Sequence, residues 1–299
     1  PSPAASAAPA LIPSATAGAA PSVDPASAAD DPLGGAAGLP GLAPVPAPDG
    51  ATSHLMPGIV HVWQKWNNCG PSTILMALSA FGVQLDQLAV AAALKPDRED
   101  TNVAPEELAG FARSQGLAAV VRYHGNREII RALVRAGAPV MAEQWIDVDG
   151  RGEMGHYRLV IGFDDAAGEL VVNDSYYGAL RRHSDDDFER MWRPFVGAYV
   201  AVFRPEQEPA VRAAIGADWD DAAMWARARA DHEAWAAGAP ADAWAHFALG
   251  VVRARQADHP GAVEAFDRAI AIGLPMRAFW YQSDYLRALV ATGAYDRAI

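Results

Sequence analysis

The chain holds one cysteine, Cys69, inside the stretch QKWNNCGPSTILMALSAFG at residues 64–82. A thiol at the start of a helix meets unpaired backbone N–H groups and the positive end of the peptide dipoles. Both favour the thiolate. Asn67, Asn68, Cys69, Gly70 and Pro71 set up such a start: proline is tolerated in a first turn, and Gly70 leaves the thiol's surroundings open. A lone free cysteine is more commonly a small buried hydrophobe, so position alone does not make Cys69 a nucleophile.

A nucleophilic thiolate needs a base, normally a histidine held by a third group. Of eight histidines, His156 in MGHYRLVIGFDD opens a strand that would lie centrally in a sheet. His61 sits on an extended lead-in to the cysteine, and His54 and His124 fall in loops. The strand after His156 ends in VVNDSYYG. A hairpin that sets Asp174 opposite Arg158 puts Asp174 on the face of His156, displaced diagonally and within side-chain reach. A one-residue slip would present Asn173 instead. An aspartate before Ser-Tyr-Tyr-Gly is also a common strand-end carboxylate. Gln64, five residues before Cys69, carries an amide that could donate to an oxyanion beside the Cys69 N–H, and reads equally well as a surface glutamine. Trp63, Trp66 and Trp145 are candidates for a cleft lining, although aromatics are more often core.

Other chemistry has little support. The histidines show no HExxH spacing, one cysteine cannot build a cysteine-rich zinc site, and no Gly-rich phosphate loop is present. No metal or other cofactor is expected. Glu99 and Asp100, and the run Asp185, Asp186, Asp187, read as solvated loops or helix caps.

The elements that must position these residues follow from pattern. Residues 1–52 are rich in Ala, Pro, Ser and Gly and lack aromatics, so they are expected to form a disordered linker. The sequence opens on Pro, which fits either a linker after a removed signal peptide or lipid anchor, or an internal piece of a longer cytoplasmic protein. Localisation at the cell surface or outside the cell is expected from the first, cytoplasmic from the second. Residues 53–205 read as one α+β unit. A short strand or an extended entry is expected at HVWQ, with helices over 71–81, 84–94, 105–116 and 127–137, the last capped by Asn126. Strands PVMAEQWI, HYRLVIGF, ELVVND and AYVAVF follow, with a tight turn at DDAAG and a short helix over 185–191. Helices first and an antiparallel sheet after is an α+β pattern.

Residues 206–299 are all-helical and alanine-rich, with amphipathic helices over 222–237, 242–256, 260–272 and 277–292. Leu249, Gly250, Ala262, Phe266 and Ala269 fit the small and large positions of a tetratricopeptide repeat, and Tyr285, Gly293, Tyr295 and Ala298 match it again in part. The offset from Ala262 to Ala298 is 36 residues, close to the repeat's usual length of about 34. The sequence stops at Ile299 inside an expected helix, which suggests a cut array; a generic helical bundle is the plainer reading.

Bulk properties narrow the class. A formal charge of −12 over 299 residues argues against nucleic acid and anionic membrane surfaces as partners. With 51% hydrophobic and 20% charged residues the composition is that of a soluble globular protein. No apolar run reaches the ~18 residues of a transmembrane helix.

Three motifs in register then support a resemblance. Gln64 with Cys69-Gly70-Pro71 heading a helix, GHY-x-x-V-x-G-F-DD at 155–165, and the Asp174 to Gly178 strand end resemble papain-like cysteine peptidases of the bacteriocin (double-glycine) leader-processing type, peptidase family thirty-nine, over residues 54–205. The resemblance implies a papain-like α+β fold and a bacterial hydrolase. It implies Cys69 as nucleophile, His156 as base, Asp174 as orienting group and Gln64 in the oxyanion hole. The relatives often carry Asp-Pro where this chain has Asp174-Ser175, and no ATP-binding cassette follows. The helical region resembles the tetratricopeptide helices that accompany such domains in bacterial extracellular proteins. A peptide or protein substrate is expected, with a protein partner on the helices. The competing readings are an amidase or transpeptidase on the same fold and a catalytically silent peptide-binding scaffold.

Overall fold

A computed structural model describes residues 46–48, 50–97, 99, 102–148 and 150–298. The expected linker lies outside the described residues up to residue 45 and at residue 49. Its described end is docked: Ala47 N–H donates to Arg135 O at 2.9 Å, and Asp165 N–H donates to Thr52 O at 2.8 Å.

Seven strands form one antiparallel sheet: β1 (Ser53–Leu55), β2 (Ala118–Arg122), β3 (Val140–Val148), β4 (Gly152–Asp164), β5 (Glu169–Asp174), β6 (Gly178–Ser184) and β7 (Tyr199–Phe203). The order is β2-β7-β3-β4-β5-β6, and β1 pairs with the end of β4 beyond the reach of β3. β1, β2 and β6 carry no clear alternation, and the sequence reading lacks them. β6 is an edge strand with Arg181 and Arg182 exposed, a device that discourages further pairing. The HVWQ segment has no regular secondary structure.

Before the sheet come α1 (Cys69–Ser79), α2 (Gln87–Leu94), α3 (Pro105–Ser114) and α4 (Arg127–Arg135); α5 (Asp185–Trp192) precedes β7. α1 is buried from Gly70 to Ser79 on all sides, as expected of a helix with no polar face. Asp86 caps α2 through the Leu88 and Ala89 N–H groups, and Asn126 caps α4 through Ile129 N–H. In α3, Pro105 stands in the first turn and Glu107 reaches back to the Ala104 N–H at 2.7 Å. The α+β pattern is thus the fold of this region.

The remainder is helical: α6 (Glu208–Ile215), α7 (Asp221–Gly238), α8 (Ala243–Arg255), α9 (His259–Ile272) and α10 (Asp284–Ala291). α8 and α9 pair closely because Gly250 has no side chain. A Cβ there would lie 2.8 Å from the Phe266 ring. The expected helix over 277–292 is broken into a 3-10 turn, Met276–Trp280, and α10. The Trp280 carbonyl leaves the helical ladder to accept from the Asn102 side chain, and the next residue, Tyr281, lies against Gly155 of β4. These helices share a core with the sheet. Tyr123, Trp145 and Phe195 pack in one cluster with Phe247, Phe266 and Leu274.

Candidate active site

Cys69 is the first residue of α1 and is half-buried. The preceding loop is pinned to α2. Gln87 accepts from Lys65 N–H at 2.7 Å and donates to Trp63 O at 2.8 Å. Lys95 donates to Asn67 O at 2.7 Å and to Asn68 Oδ1 at 2.8 Å. Asn67 takes a left-handed φ of 53°, which asparagine tolerates, and this turns the chain into the helix. The space left by Gly70 is not open: a Cβ there would lie 3.2 Å from Val103 Cβ.

The base and its partner come from the sheet. β4 and β5 pair with Arg158 opposite Asp174, and a register shift between Val160 and Gly162 separates this register from that of the turn. In this register His156 Nε2–H donates to Asp174 Oδ1 at 2.9 Å. Asn173 faces elsewhere and accepts from Leu180 N–H at 3.0 Å. Asp174 is fully buried and takes three further donors: Arg158 Nε at 2.7 Å, Tyr176 N–H at 2.7 Å and Tyr177 N–H at 3.0 Å. Arg158 is buried as well, and donates to Gln144 Oε1 at 2.7 Å; Gln144 in turn donates to Phe188 O at 3.0 Å. With Nε2 committed to Asp174, the other ring nitrogen of His156 is the one left to interact with the Cys69 thiol. Thr73 of α1 donates to Tyr157 O at 3.2 Å and ties the helix to β4 beside His156.

The electrostatics favour charge separation. Burial alone would raise the Cys69 pKa. The hydrogen bond and charge of His156, with hydrogen bonds from the Tyr157 and Gly70 backbone, bring it below its ordinary value. Burial likewise opposes a charged His156, yet Asp174 and Cys69 push the imidazole up to about 9. Asp174 is held well below the usual carboxylate range, because His156 and Arg158 outweigh its burial. A thiolate beside an imidazolium can attack an electrophilic carbonyl carbon and then deliver a proton to a leaving group.

Gln64 is half-buried in the same loop system. Its backbone N–H donates to Ser175 O at 2.9 Å, and its Oε1 accepts from the Ser175 hydroxyl at 2.9 Å. The carbonyl end of the amide is therefore occupied, leaving the NH2 end to donate. Ser175 thus fixes Gln64 from the turn that carries Asp174.

Of the tryptophans considered from sequence, none lines the cavity beside Cys69. Trp145 is buried and packs on Trp244, Phe195 and Tyr281, anchoring the helices to the sheet. Trp63 and Trp66 are exposed. The aromatics in that cavity are Tyr157, Trp280 and Tyr281. Sequence reasoning placed Arg158 opposite Asp174 without giving it a role, and missed Gln87 and Lys95. Their partners lie far away along the chain, so no local spacing announces them. His61 donates to Asp174 O at 2.9 Å, and His124 bridges Asp218 and Asp231. Among the described residues no cluster of histidine, cysteine and carboxylate suits a metal ion, and no helix is long and apolar enough to cross a membrane.

Residues 57–200 match the model described as the Peptidase_C39 like family. Three solved structures are similar over 49% of this chain. One is a C39-like peptidase from Bacillus anthracis, at 15% identity and TM-score 0.40 over 94% of that chain. The second is a double glycine motif protease from an AMS/PCAT transporter, in complex with the leader peptide, at 17% identity and TM-score 0.37 over 91%. The third is the peptidase domain of Streptococcus ComA, a bifunctional ABC transporter of a quorum-sensing pathway, at 13% identity and TM-score 0.40 over 98%. No curated protein matches the chain.

Proposed function

We propose, from the C39-like peptidase domain at residues 57–200, that this chain is a cysteine peptidase working through an acyl-enzyme. The Cys69 thiolate attacks a peptide carbonyl carbon and forms the C–S bond. Gln64 Nε2 and the Cys69 N–H hold the resulting oxyanion. His156, oriented by Asp174, gives its proton to the amine as the C–N bond breaks. Water then attacks the thioester, His156 takes its proton, and the carboxylic acid leaves as the thiolate is restored. The observation that carries this reading is the His156–Asp174 hydrogen bond at 2.9 Å, joined to Cys69 by the His156 charge that lowers the thiol pKa.

The helices are read as a tetratricopeptide-like, protein-binding region. Gly250 against Phe266, with Ala262 and Ala269 buried, supports that reading, as do exposed Leu286, Val290 and Tyr295 at its end. Placement outside the cytoplasm rests on the composition of residues 1–52 alone, and the chemistry does not depend on it.

The test is iodoacetamide alkylation of Cys69 between pH 5 and 9. Wild type should react fast at pH 6. His156→Ala should be slower there by on the order of a hundredfold, because an unpaired thiol titrates near 8.5. Equal, slow rates in both proteins would remove catalysis from the reading.

A further inference from the structure

A cavity of about 290 Å³ opens beside Cys69, and both parts of the chain build it. Val103 and Tyr157 come from the α+β region, Trp280 and Tyr281 from the helical region. Gly155, next to His156, makes the junction possible: a Cβ there would lie 2.7 Å from the Tyr281 ring. Two carboxyl groups line the same space, Glu107 at the exposed rim and Glu143, which is only 5% exposed.

Glu143 is unusual among the buried charges of this protein. No cation lies within ion-pair distance of it among the described residues, and the neighbouring Tyr157 hydroxyl donates to Val103 O at 3.0 Å. The neighbouring cations are committed elsewhere. Lys95 holds the Asn67–Asn68 loop, Arg255 pairs with Asp284 at 3.0 Å, and Arg277 donates to Glu153 O at 2.9 Å. Burial first, then the negative charges of Cys69 and Glu106, push the Glu143 carboxyl well above its ordinary value. That is the behaviour of a carboxyl group deprived of a counterion.

Resting on the peptidase reading, we propose that this cavity is a subsite for a basic side chain, lysine or arginine, next to the scissile bond. Glu143 is its counterion, and Trp280 and Tyr281 of the helical region form its wall. The chemistry of the lining fits this occupant on each count. Aromatic faces and Val103 cover the methylene stem, and Tyr and Trp rings also attract a cation over their faces. An acidic side chain would meet two carboxyl groups. A small apolar one would leave Glu143 buried against empty space. The helical region thereby takes part in substrate selection in addition to any partner it binds.

Peptidyl chloromethyl ketones carrying lysine or norleucine at the first or second position before the ketone test the proposal. The pair differs in charge and little in shape. At one of the two positions lysine should inactivate wild-type protein about tenfold faster or more, and Glu143→Gln should abolish that preference. Trp280→Ala, at a largely exposed residue, should reduce it without a folding cost. Equal rates for lysine and norleucine at both positions, or no reaction with either, while iodoacetamide still alkylates Cys69 quickly at pH 6, overturn the subsite and leave the peptidase reading standing. A lysine preference that survives in Glu143→Gln overturns the role of Glu143. Slow iodoacetamide alkylation of wild type overturns the peptidase reading, and the subsite with it.

Discussion

Asp174 and Glu143 are two buried carboxyl groups on the strands that flank β4, and their surroundings drive them in opposite directions. Asp174 collects four donors, two of them from charged side chains, and is held ionised. Glu143 has no cation paired with it among the described residues, and is pushed towards the neutral acid. Burial acts the same way on both. The partners decide the charge. The side of His156 that faces Asp174 is therefore complete within the chain, while the cavity beside Cys69 lacks a charge that a ligand can bring.

The largest expected effect breaks the Asp174 side. Asp174→Asn removes the charge that compensates both His156 and buried Arg158. Breaking a buried pair of this kind costs roughly 3–5 kcal/mol, which for a chain of this size lowers the thermal midpoint by about 10 °C. The sign with pH is fixed by the depressed pKa of Asp174. Its contribution is present above the unfolded value near 3.9 and is lost only as pH falls through the lower folded value, so the deficit of Asp174→Asn should persist across pH 5–8. The same variant should lose fast alkylation at pH 6, since His156 no longer has a charge holding it near pH 9. Thermal melts and alkylation rates on one preparation check both.

Glu143→Gln should move stability the other way. A carboxyl whose folded pKa is raised contributes stability below its unfolded value, about 4.3, and that contribution is lost as pH rises through the folded value. At pH 8 the wild-type protein therefore bears a cost that glutamine does not. The expected gain is largest at pH 8 and shrinks towards pH 4. Melts of the two proteins at both pH values settle the sign. A loss at pH 8 would mean that Glu143 is ionised and paired when the site is empty.

The Asp174 side was legible in the sequence and the Glu143 side was not, for a physical reason. Strand alternation ties the faces of His156, Arg158 and Asp174 together, so choosing the register that sets Asp174 opposite Arg158 also chose Asp174 over Asn173. The register shift between Val160 and Gly162 left that pairing intact. The cysteine loop was legible as a helix start from Asn68, Gly70 and Pro71. The cavity wall depends instead on Tyr281 lying against Gly155, across more than a hundred residues, and on a helix that breaks where the Trp280 carbonyl finds Asn102. No periodicity encodes such a contact; the 277–292 stretch reads as one amphipathic helix because its tertiary partner is invisible locally. Edge strand β6, with its paired arginines, is hidden for the related reason that it lacks an alternating apolar face.

The smallest expected effect tests how finely the Asp174 turn controls the site. Ser175 spends its hydroxyl on Gln64 Oε1 and its carbonyl on Gln64 N–H, so one residue after Asp174 both ends of the Gln64 residue are fixed. Ser175→Ala removes one neutral hydrogen bond, worth about 1 kcal/mol. The Gln64 amide is then free to turn its oxygen towards the developing oxyanion, where it would repel rather than donate. A peptide aldehyde, which forms an oxyanion-bearing hemithioacetal on Cys69, should bind about fivefold more weakly, and Ser175→Thr should restore most of the loss. Iodoacetamide alkylation, which forms no oxyanion, is the reference: a parallel fall in both would place Ser175 in the general stability of the turn. A fall in aldehyde affinity alone would place it in the orientation of Gln64, and would extend the preformed Asp174 side as far as the oxyanion itself.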